Sequence, residues 1–521
     1  PPPPPRRRPL ALRNLGVKVI AMTMLRLSLA AALLLAAPAL AQEAAKPESK
    51  AEAPPPAPNR SVTKHKGVFG GVPISYTATA GETFLKDKDG KPIAAIYATS
   101  YVKDGPADPK RPVTFLYNGG PGSGSVWLHM GAFGPKRVKI PDAKDDGAPP
   151  YPIVDNPESL LDVTDIVFID PVGTGWSYPL GKTEGKVFWG VTQDAKSVAD
   201  FIRLWLNENG RWNAPKFIGG ESYGTTRSAA LINQLEGQYN DVAVNGVILI
   251  STILDFGAEA ETEGNEMQYV VTLPSMAAVA HYHKALPQAP GALEPFLDAA
   301  REFARGPYIT ALLKGNALSA EERASVRKQL AGYTGLSEEY LERANLRVSP
   351  DRFYKELLRT RGTTVGRLDA RYVGIDYDNA GEGPDNDPSF YGIDGSYTAA
   401  INSYARGDLG YKTERSYVTI GGVGEWDWKL GGRRDGTTYV NVAPYLSRAL
   451  RENSGLKVFV GQGYYDFATP FFGAEQSLTR PGFPAGRVEF HYYQAGHMMY
   501  VHDADLAKLS ADIRGFINRQ K

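Results

Sequence analysis

Ser222 lies between two glycines in the stretch FIGGESYGTTRSAA, residues 217–230. A serine hydroxyl becomes an effective nucleophile when an imidazole takes its proton and a carboxylate orients that imidazole. Downstream, Asp466 follows the apolar run LKVFVGQGYY, and His497 follows RVEFHYYQAG. The chain order Ser, Asp, His is typical of a nucleophile on a strand-to-helix turn whose partners follow later strands. Ser222 is therefore the candidate nucleophile for attack on an acyl carbon, with His497 as its base and Asp466 as the carboxylate that orients His497.

The alternative for Ser222 is an ordinary turn serine, because a single G-x-S-x-G match is a weak signal. The sequence around it favours the nucleophile: KFI predicts a strand, and Gly220 and Gly224 permit a sharp turn. The segment TTRSAALINQLEG can continue as a helix. The remaining histidines are interpreted as structural: His65, His129, His281, His283, His491 and His502.

A glycine-rich loop, FLYNGGPGSGS, leaves an early apolar run. Such a loop can direct a backbone N–H at a tetrahedral oxyanion, and the residue after the nucleophile supplies a second N–H. We expect this pair to be the amides of Gly120 and Tyr223. A phosphate cradle is the alternative use of the loop, but the sequence has no G-x-x-x-x-G-K-[ST] pattern and no suitably placed lysine.

These candidates are far apart in the sequence, so a β-sheet is needed to bring them together. Strand-like runs alternate with helical patterns from about residue 66, and the segment VTQDAKSVADFIRLWLNEN has the spacing of an amphipathic helix. This alternation predicts an α/β fold with a largely parallel sheet covered on both sides. The strand-like runs are PVTFLYNGG, DIVFIDPVG, PKFIGGES, NGVILIST, LKVFVGQG and RVEFHYYQ.

The alternation stops after ISTILDFG and returns at LKVFVGQGYYD. Helical patterns fill the interval, and Ser319 with Glu322 has the spacing of a capping box. We therefore predict a first part of the core at 62–257, an inserted, mainly helical cap at 258–440, and a second part of the core at 441–521. An insertion that interrupts one core leaves a single domain body.

The N-terminal residues have a different composition. An apolar run ends in Ala39-Leu40-Ala41, which predicts a signal segment over 1–41 with cleavage after Ala41; an uncleaved anchor is the alternative. Residues 42–61 are rich in Pro, Ala and charge, which favours a disordered spacer. The chain has no cysteine, so an exported form relies on core packing. We expect a periplasmic or secreted protein without stable membrane association after cleavage.

Other ligands are disfavoured. The formal net charge is +1, which gives no electrostatic signal for a nucleic-acid partner. The acidic stretch DYDNAGEGPDND, residues 376–387, departs from the calcium-loop pattern at Ala380 and Asp387. His281 and His283 lack the H-E-x-x-H context of a zinc site. We expect no metal and no cofactor, and the oligomeric state is left open.

Four blocks resemble the serine carboxypeptidase family of α/β-hydrolases: YNGGPGSGS, NPESLLDVTDIVFIDPVGTGWSYP, GGESYGTT, and GYYDFATP with YQAGHMMY. The resemblance implies an α/β-hydrolase fold with Ser222, Asp466 and His497 as catalytic triad. It also implies an oxyanion hole at Gly120 and Tyr223, and a peptide substrate with a free C-terminus. The residues that would bind the terminal carboxylate are Asn118, Gly119 and Glu221.

The sequence departs from the family pattern at two positions. Ala132 stands where the family usually has a further acid, and Ser123 stands where it has a cysteine. A carboxyl group beside a substrate carboxylate must share a proton, so the resemblance implies activity that favours acidic pH. The absent acid leaves an esterase or acyltransferase open. A non-catalytic binding protein on the same scaffold is the alternative of another class.

Overall fold

The computed structural model describes residues 57–237, 241–430 and 439–520. The predicted signal segment, 1–41, and the spacer up to residue 56 lie outside the described residues. The end of the spacer prediction is wrong: strand β1 begins at Arg60, so Arg60 and Ser61 are part of the sheet. Their backbone groups pair with the neighbouring strand, opposite Gly81 and Ala80.

Fourteen strands occur in the described residues. They are β1 Arg60–Phe69, β2 Val72–Lys86, β3 Pro92–Lys103, β4 Val113–Tyr117, β5 Lys136–Val138, β6 Ile153–Asp155, β7 Asp165–Ile169, β8 Tyr178–Pro179, β9 Lys216–Ser222, β10 Gly246–Thr252, β11 Thr364–Val365, β12 Val373–Gly374, β13 Lys457–Gly463 and β14 Val488–Tyr493.

The main sheet has the order β1-β2-β3-β7-β4-β9-β10-β13-β14, and β8 pairs with β3 beside it. The first three strands are antiparallel, whereas β7, β4, β9, β10, β13 and β14 run parallel to one another. The prediction of a largely parallel sheet is confirmed. Because parallel strands end at one edge, the residues after β4, β9, β13 and β14 can meet there.

Fourteen α-helices occur in the same part of the chain. They are α1 Val191–Asn209, α2 Tyr223–Leu235, α3 Phe256–Glu259, α4 Met267–Tyr282, α5 Leu293–Phe303, α6 Ile309–Lys314, α7 Ala320–Thr334, α8 Glu338–Arg343, α9 Pro350–Glu356, α10 Pro388–Tyr391, α11 Asp394–Arg406, α12 Ala443–Glu452, α13 Phe471–Leu478 and α14 Asp503–Gln520.

Two apolar layers cover the sheet. Phe115 and Val167 face the layer that contains α1, α2 and α12. Their neighbours Leu116 and Phe168 face the opposite layer, which contains α11 and α14. Side chains of a strand point alternately to its two faces, so strands buried on both sides are apolar throughout. This two-sided burial is that of an α/β fold.

Helices α3 to α11 lie between β10 and β13 in the chain. Many of their apolar side chains form a third buried cluster, which includes Leu297, Phe353 and residues of α13. The capping box is present at α7: the Ser319 side chain accepts from the Glu322 amide, and the Glu322 side chain accepts from the Ser319 amide. Residues 407–430 of the predicted cap are irregular rather than helical, and Val418 and Ile420 form bridges to Gly175 and Ser123. The exact cap boundaries remain predictions.

No helix in the three described ranges combines the length and apolar character that crossing a bilayer requires.

Candidate functional site

Ser222 lies at a sharp turn between the central strand β9 and helix α2. Its backbone has φ 61° and ψ −130°, a conformation that a side-chain-bearing residue rarely adopts and that is common where function requires it. Gly220 and Gly224 permit the turn: a Cβ on Gly220 would lie 2.1 Å from the carbonyl oxygen of Gly224. Ser222 is half-buried and lines the large cleft above the sheet.

The structure brings Asp466 and His497 together. Asp466 follows β13, His497 follows β14, and the distance from His497 Nδ1 to Asp466 Oδ2 is 2.8 Å. Burial disfavours the imidazolium, but the Asp466 carboxylate and its hydrogen bond raise the pKa of His497 above its ordinary value. Because Nδ1 faces Asp466, Nε2 is the ring nitrogen left for the cleft, which Ser222 and His497 both line.

Thr469 completes the surroundings of Asp466 and was not among the predicted site residues. Its hydroxyl donates to Asp466 Oδ2 at 2.6 Å and lies 3.3 Å from His497 Nδ1. The amides of Ala468 and Thr469 donate to Asp466 Oδ1 at 2.7 and 3.1 Å. Asp466 is fully buried, so these donors compensate for its lost hydration. The available signal was the turn DFAT, in which a carboxylate accepts from residues two and three positions later.

The backbone of His497 is held from two sides. Ser251 Oγ donates to the His497 carbonyl at 2.6 Å, and the His497 amide donates to Leu368 O at 2.6 Å. Leu368 belongs to the predicted cap, so this segment touches the catalytic candidate directly. A Cβ on the preceding Gly496 would lie 2.4 Å from Asp369 Cα, which explains a glycine there.

The glycine-rich loop packs against the elbow. Gly119 approaches so closely that a Cβ on it would lie 2.5 Å from the Tyr223 amide nitrogen. Gly120 follows with φ 103°, in the left-handed region, and both glycines line the cleft beside Ser222. The loop therefore lies beside Ser222, and the amides of Gly120 and Tyr223 stay the predicted donors of an oxyanion hole.

Two buried charged groups fix this loop, and neither was anticipated. Asp170 accepts from the Ser125 amide at 2.7 Å and from the Tyr417 hydroxyl at 3.1 Å. Arg227 on α2 is fully buried; it donates to Asp194 at 2.6 Å and to the Asn118 carbonyl. Because these contacts join the loop to α1 and α2, the loop is part of the rigid core.

Asn118 and Glu221 form a buried pair behind Ser222. Asn118 Nδ2 donates to Glu221 Oε1 at 2.8 Å, and Asn118 Oδ1 accepts from the Leu128 amide at 3.0 Å. Burial raises the pKa of Glu221 to about 7, and the nearby Asp466 carboxylate adds to the rise. His497 and the hydrogen bonds to Glu221 act in the opposite direction. Glu221 can therefore carry a proton near neutral pH and donate it to an anion.

These residues share a cleft of about 500 Å³. Its other wall comes from the predicted cap and carries Glu259, Glu261, Asp351 and Arg367. Burial raises the pKa of Glu259 well above its ordinary range, and Asp466 and Asp255 contribute to the rise. None of these four residues was predicted as a site residue, because helical periodicity in the cap does not reveal which polar side chains face the core.

The two departures from the family pattern occupy different environments. Ala132 is fully buried in a π-helical turn, Leu128–Phe133, whereas Ser123 lines the cleft.

The residues discounted as metal ligands have other contacts. Asp376 pairs with Lys355, and His283 Nε2 lies 2.6 Å from Ala370 O. Among residues 57–237, 241–430 and 439–520, no cluster of three acidic or histidine side chains could hold a metal ion.

Residues 97–289 match the family model described as serine carboxypeptidase. The resemblance seen in the sequence is thereby confirmed for this part of the chain, which includes Ser222 and the glycine-rich loop. The match supports a serine hydrolase. A search of curated proteins gave no match.

Solved structures with some similarity include a monoglyceride lipase from Saccharomyces cerevisiae, at 11% identity and TM-score 0.35, covering 84% of this chain and 95% of that one. An epoxide hydrolase from Aspergillus niger has 12% identity and TM-score 0.34, with 86% and 79% covered. A mutant of a putative epoxide hydrolase from Pseudomonas aeruginosa has 13% identity and TM-score 0.31, with 85% and 96% covered.

Proposed function

We propose that this protein is a serine carboxypeptidase that releases C-terminal residues from peptides through an acyl-enzyme on Ser222. The observation that supports this most is the shared cleft: Ser222 at its strand-to-helix turn, the Asp466–His497 pair and the buried Asn118–Glu221 pair all line it or lie directly behind it. Ser222 with the Asp466–His497 pair suits acyl transfer. The Asn118–Glu221 pair suits recognition of a carboxylate beside the scissile bond.

In the proposed reaction, Ser222 Oγ attacks the carbonyl carbon of the last peptide bond, and its proton passes to His497 Nε2. The oxyanion accepts hydrogen bonds from the Gly120 and Tyr223 amides. Asp466 stabilises the imidazolium through Nδ1. His497 then protonates the leaving amino group, and the C–N bond breaks. Water, deprotonated by His497, then attacks the acyl carbon; the ester bond to Ser222 Oγ breaks, and His497 returns the proton to that oxygen.

Glu221 would supply the selection of chain ends. A protonated Glu221 can donate to the terminal carboxylate of the substrate, whereas an ionised Glu221 would repel it. Recognition is therefore expected below the pKa of Glu221, which lies at about 7.

The decisive experiment follows a pool of peptides by mass spectrometry between pH 4 and 8. Stepwise loss from the C-terminus is expected with the wild-type protein, whereas internal fragments would contradict the proposal. Ser222→Ala should abolish release and labelling by a fluorophosphonate. Ser325→Ala on the exposed face of α7 is the matched control and should keep both.

An esterase or acyltransferase is the second candidate, and the observation that favours it is Ala132. Where the resembled family has a further acid, this chain has a buried methyl group. A blocked dipeptide, its C-terminal amide and a simple ester separate the two functions. Preference for the free acid supports the carboxypeptidase; equal or better turnover of the ester favours the alternative.

We also propose that the protein is exported after cleavage at Ala41 and that its partner is a peptide substrate with a free C-terminus. N-terminal sequencing of the protein recovered from its native compartment tests this. A chain that begins at Gln42 is expected, and a retained apolar segment in a membrane fraction would contradict the proposal.

A further inference from the structure

Two tyrosines lie beside the position of the absent acid. Gly131 precedes Ala132 in the π-helical turn, and a Cβ on Gly131 would lie 2.5 Å from the Tyr397 hydroxyl and 2.6 Å from the Tyr500 ring. Tyr397 comes from α11, and Tyr500 follows His497 by three residues. Both rings are almost fully buried. The space next to the small Gly131–Ala132 pair is thus filled by aromatic side chains that carry hydroxyl groups.

The Tyr500 hydroxyl faces the Glu221 carboxyl and the Asn118 amide. Glu221 Oε2 and the Tyr500 hydroxyl are both buried, and neither completes a well-oriented hydrogen bond within the described residues. A buried polar atom without a partner destabilises the folded state, because its lost hydration is not compensated. Two such atoms that face each other behind a substrate cleft indicate a hydrogen bond that forms when a ligand adjusts the pair.

We propose that Tyr500 is a positioning residue for Glu221 and takes the place of the acid that is absent at Ala132. Its hydroxyl donates to Glu221 Oε2 while Asn118 Nδ2 donates to Oε1. The carboxyl plane is then fixed from behind, and the acid proton of Glu221 is directed into the cleft. This inference rests on the proposed function, because the group directed into the cleft is the one that would bind the terminal carboxylate.

The charges around Glu221 determine the expected pH effect. Burial, Asp466, His497, Asn118 and Tyr500 set its pKa, and Tyr397 also lies within electrostatic reach. A donor such as the Tyr500 hydroxyl favours the ionised carboxylate and so lowers the pKa of Glu221. Removal of the hydroxyl therefore raises that pKa, and the protonated form persists to higher pH.

Tyr397→Phe is the matched control for Tyr500→Phe. Both substitutions remove one buried hydroxyl beside Gly131 and keep the ring. Tyr500 faces the Glu221 carboxyl as a hydrogen-bond donor, whereas Tyr397 is not among the groups that shift the pKa of Glu221. A general loosening of this part of the core would affect both variants.

The test measures kcat/KM for a blocked dipeptide with a free C-terminus and for its ester, from pH 4 to 8. In Tyr500→Phe the free-acid-to-ester ratio at pH 5 should fall about tenfold. The pH at which this ratio declines should rise by roughly one unit. Tyr397→Phe should leave both the ratio at pH 5 and the pH at which the ratio declines at their wild-type values. In a Glu221→Gln background, Tyr500→Phe should cause no further pH shift.

The outcomes separate the two claims. A wild-type protein that prefers the free acid, with an unchanged ratio in Tyr500→Phe, overturns the role of Tyr500 and leaves the proposed function intact. Equal changes in Tyr397→Phe, or a pH shift that survives in the Glu221→Gln background, also overturn it. A wild-type protein without preference for the free acid removes the proposed function, and the role of Tyr500 with it.

Discussion

The two walls of the cleft differ in origin and in the state of their charges. The core wall consists of loops that follow β4, β9, β13 and β14, and its carboxylate Asp466 accepts four hydrogen bonds. The cap wall carries Glu259 and Glu261, and burial raises the pKa of both. A fully hydrogen-bonded carboxylate can hold an imidazole in place, whereas burial without such donors favours the protonated form. The difference supports the proposal that the core wall carries the chemistry and that the cap wall contacts the substrate.

The walls meet at His497, whose amide donates to Leu368 of the cap segment. The cap is therefore more than a cover over the catalytic candidates, because it supports one of them. Changes on the core wall should alter the rate of the chemical step, and changes at the junction should alter both rate and stability.

The largest expected effect is a difference in kcat between variants of two neighbouring carboxylates, Asp466 and Glu259. Asp466→Asn should lower kcat by about 10⁴-fold, because the amide no longer stabilises the imidazolium or fixes its tautomer. Glu259→Gln should change kcat by less than about tenfold, since burial favours the neutral form of the wild-type side chain and the amide is neutral too. Kinetics with one ester substrate compare the two variants. A similar loss in both would erase the distinction between the walls.

The core wall was largely predictable from the sequence. Ser222, Asp466 and His497 each follow a strand-like run, and parallel strands end at the same edge, so their proximity follows from the pattern. Gly120 and Glu221 were located by adjacent motifs. Arg227 was not, because a buried ion pair depends on a contact between distant segments. Thr469 was missed although its contact with Asp466 is local and the turn DFAT offered a signal.

The cap wall was not predictable. Helical periodicity identified buried faces such as that of α5, but it does not show which polar side chains face the core. Residues 407–430 lack periodicity, and the bridges from Val418 and Ile420 to the core follow from tertiary contact. The start of β1 at Arg60 was missed for a similar reason: a polar edge strand is stabilised by pairing, and its composition resembles that of the spacer.

The second prediction tests the junction between the walls through Gly496. In Gly496→Ala the added Cβ would lie 2.4 Å from Asp369 Cα, so the two backbones must separate. The expected cost is about 1–3 kcal/mol of folding stability, with lower kcat because His497 moves. Gly332→Ala is the control: Gly332 lies within α7 with open space around it, and alanine should stabilise that helix by about 1 kcal/mol.

Urea denaturation and ester kinetics measure both variants. If Gly496→Ala keeps the wild-type stability and kcat, the backbones at this junction can separate freely, and the cap segment does not support His497.

The third prediction concerns Thr469 on the core wall. Thr469→Val removes the hydroxyl that donates to Asp466 Oδ2, so the carboxylate loses one of its two partners on that oxygen. We expect kcat to fall about tenfold with KM little changed, which corresponds to the loss of one hydrogen bond to a charged group. Thr469→Ser keeps the hydroxyl and should recover most of the loss. Failure of the serine variant to recover activity would indicate that the methyl group, through packing, is what matters.

The smallest expected effect is a shift in pH dependence that links the two carboxylate environments. His497 must be neutral to accept the Ser222 proton, so ester turnover should rise as pH passes the pKa of His497, which lies above its ordinary value. Ionised Glu221 contributes to that raised pKa. Glu221→Gln removes this charge and should move the rising limb to lower pH. For a free-acid peptide, KM of the wild type should rise above about pH 7, as Glu221 ionises, and this rise should vanish in Glu221→Gln.

Glu261→Gln on the cap wall is the comparison, because Glu261 is absent from the groups that set the pKa of His497. Were Glu261→Gln to move the limb as far as Glu221→Gln does, the electrostatic separation of the walls would be wrong, because charge on the cap side would then control the base as strongly as charge behind the nucleophile.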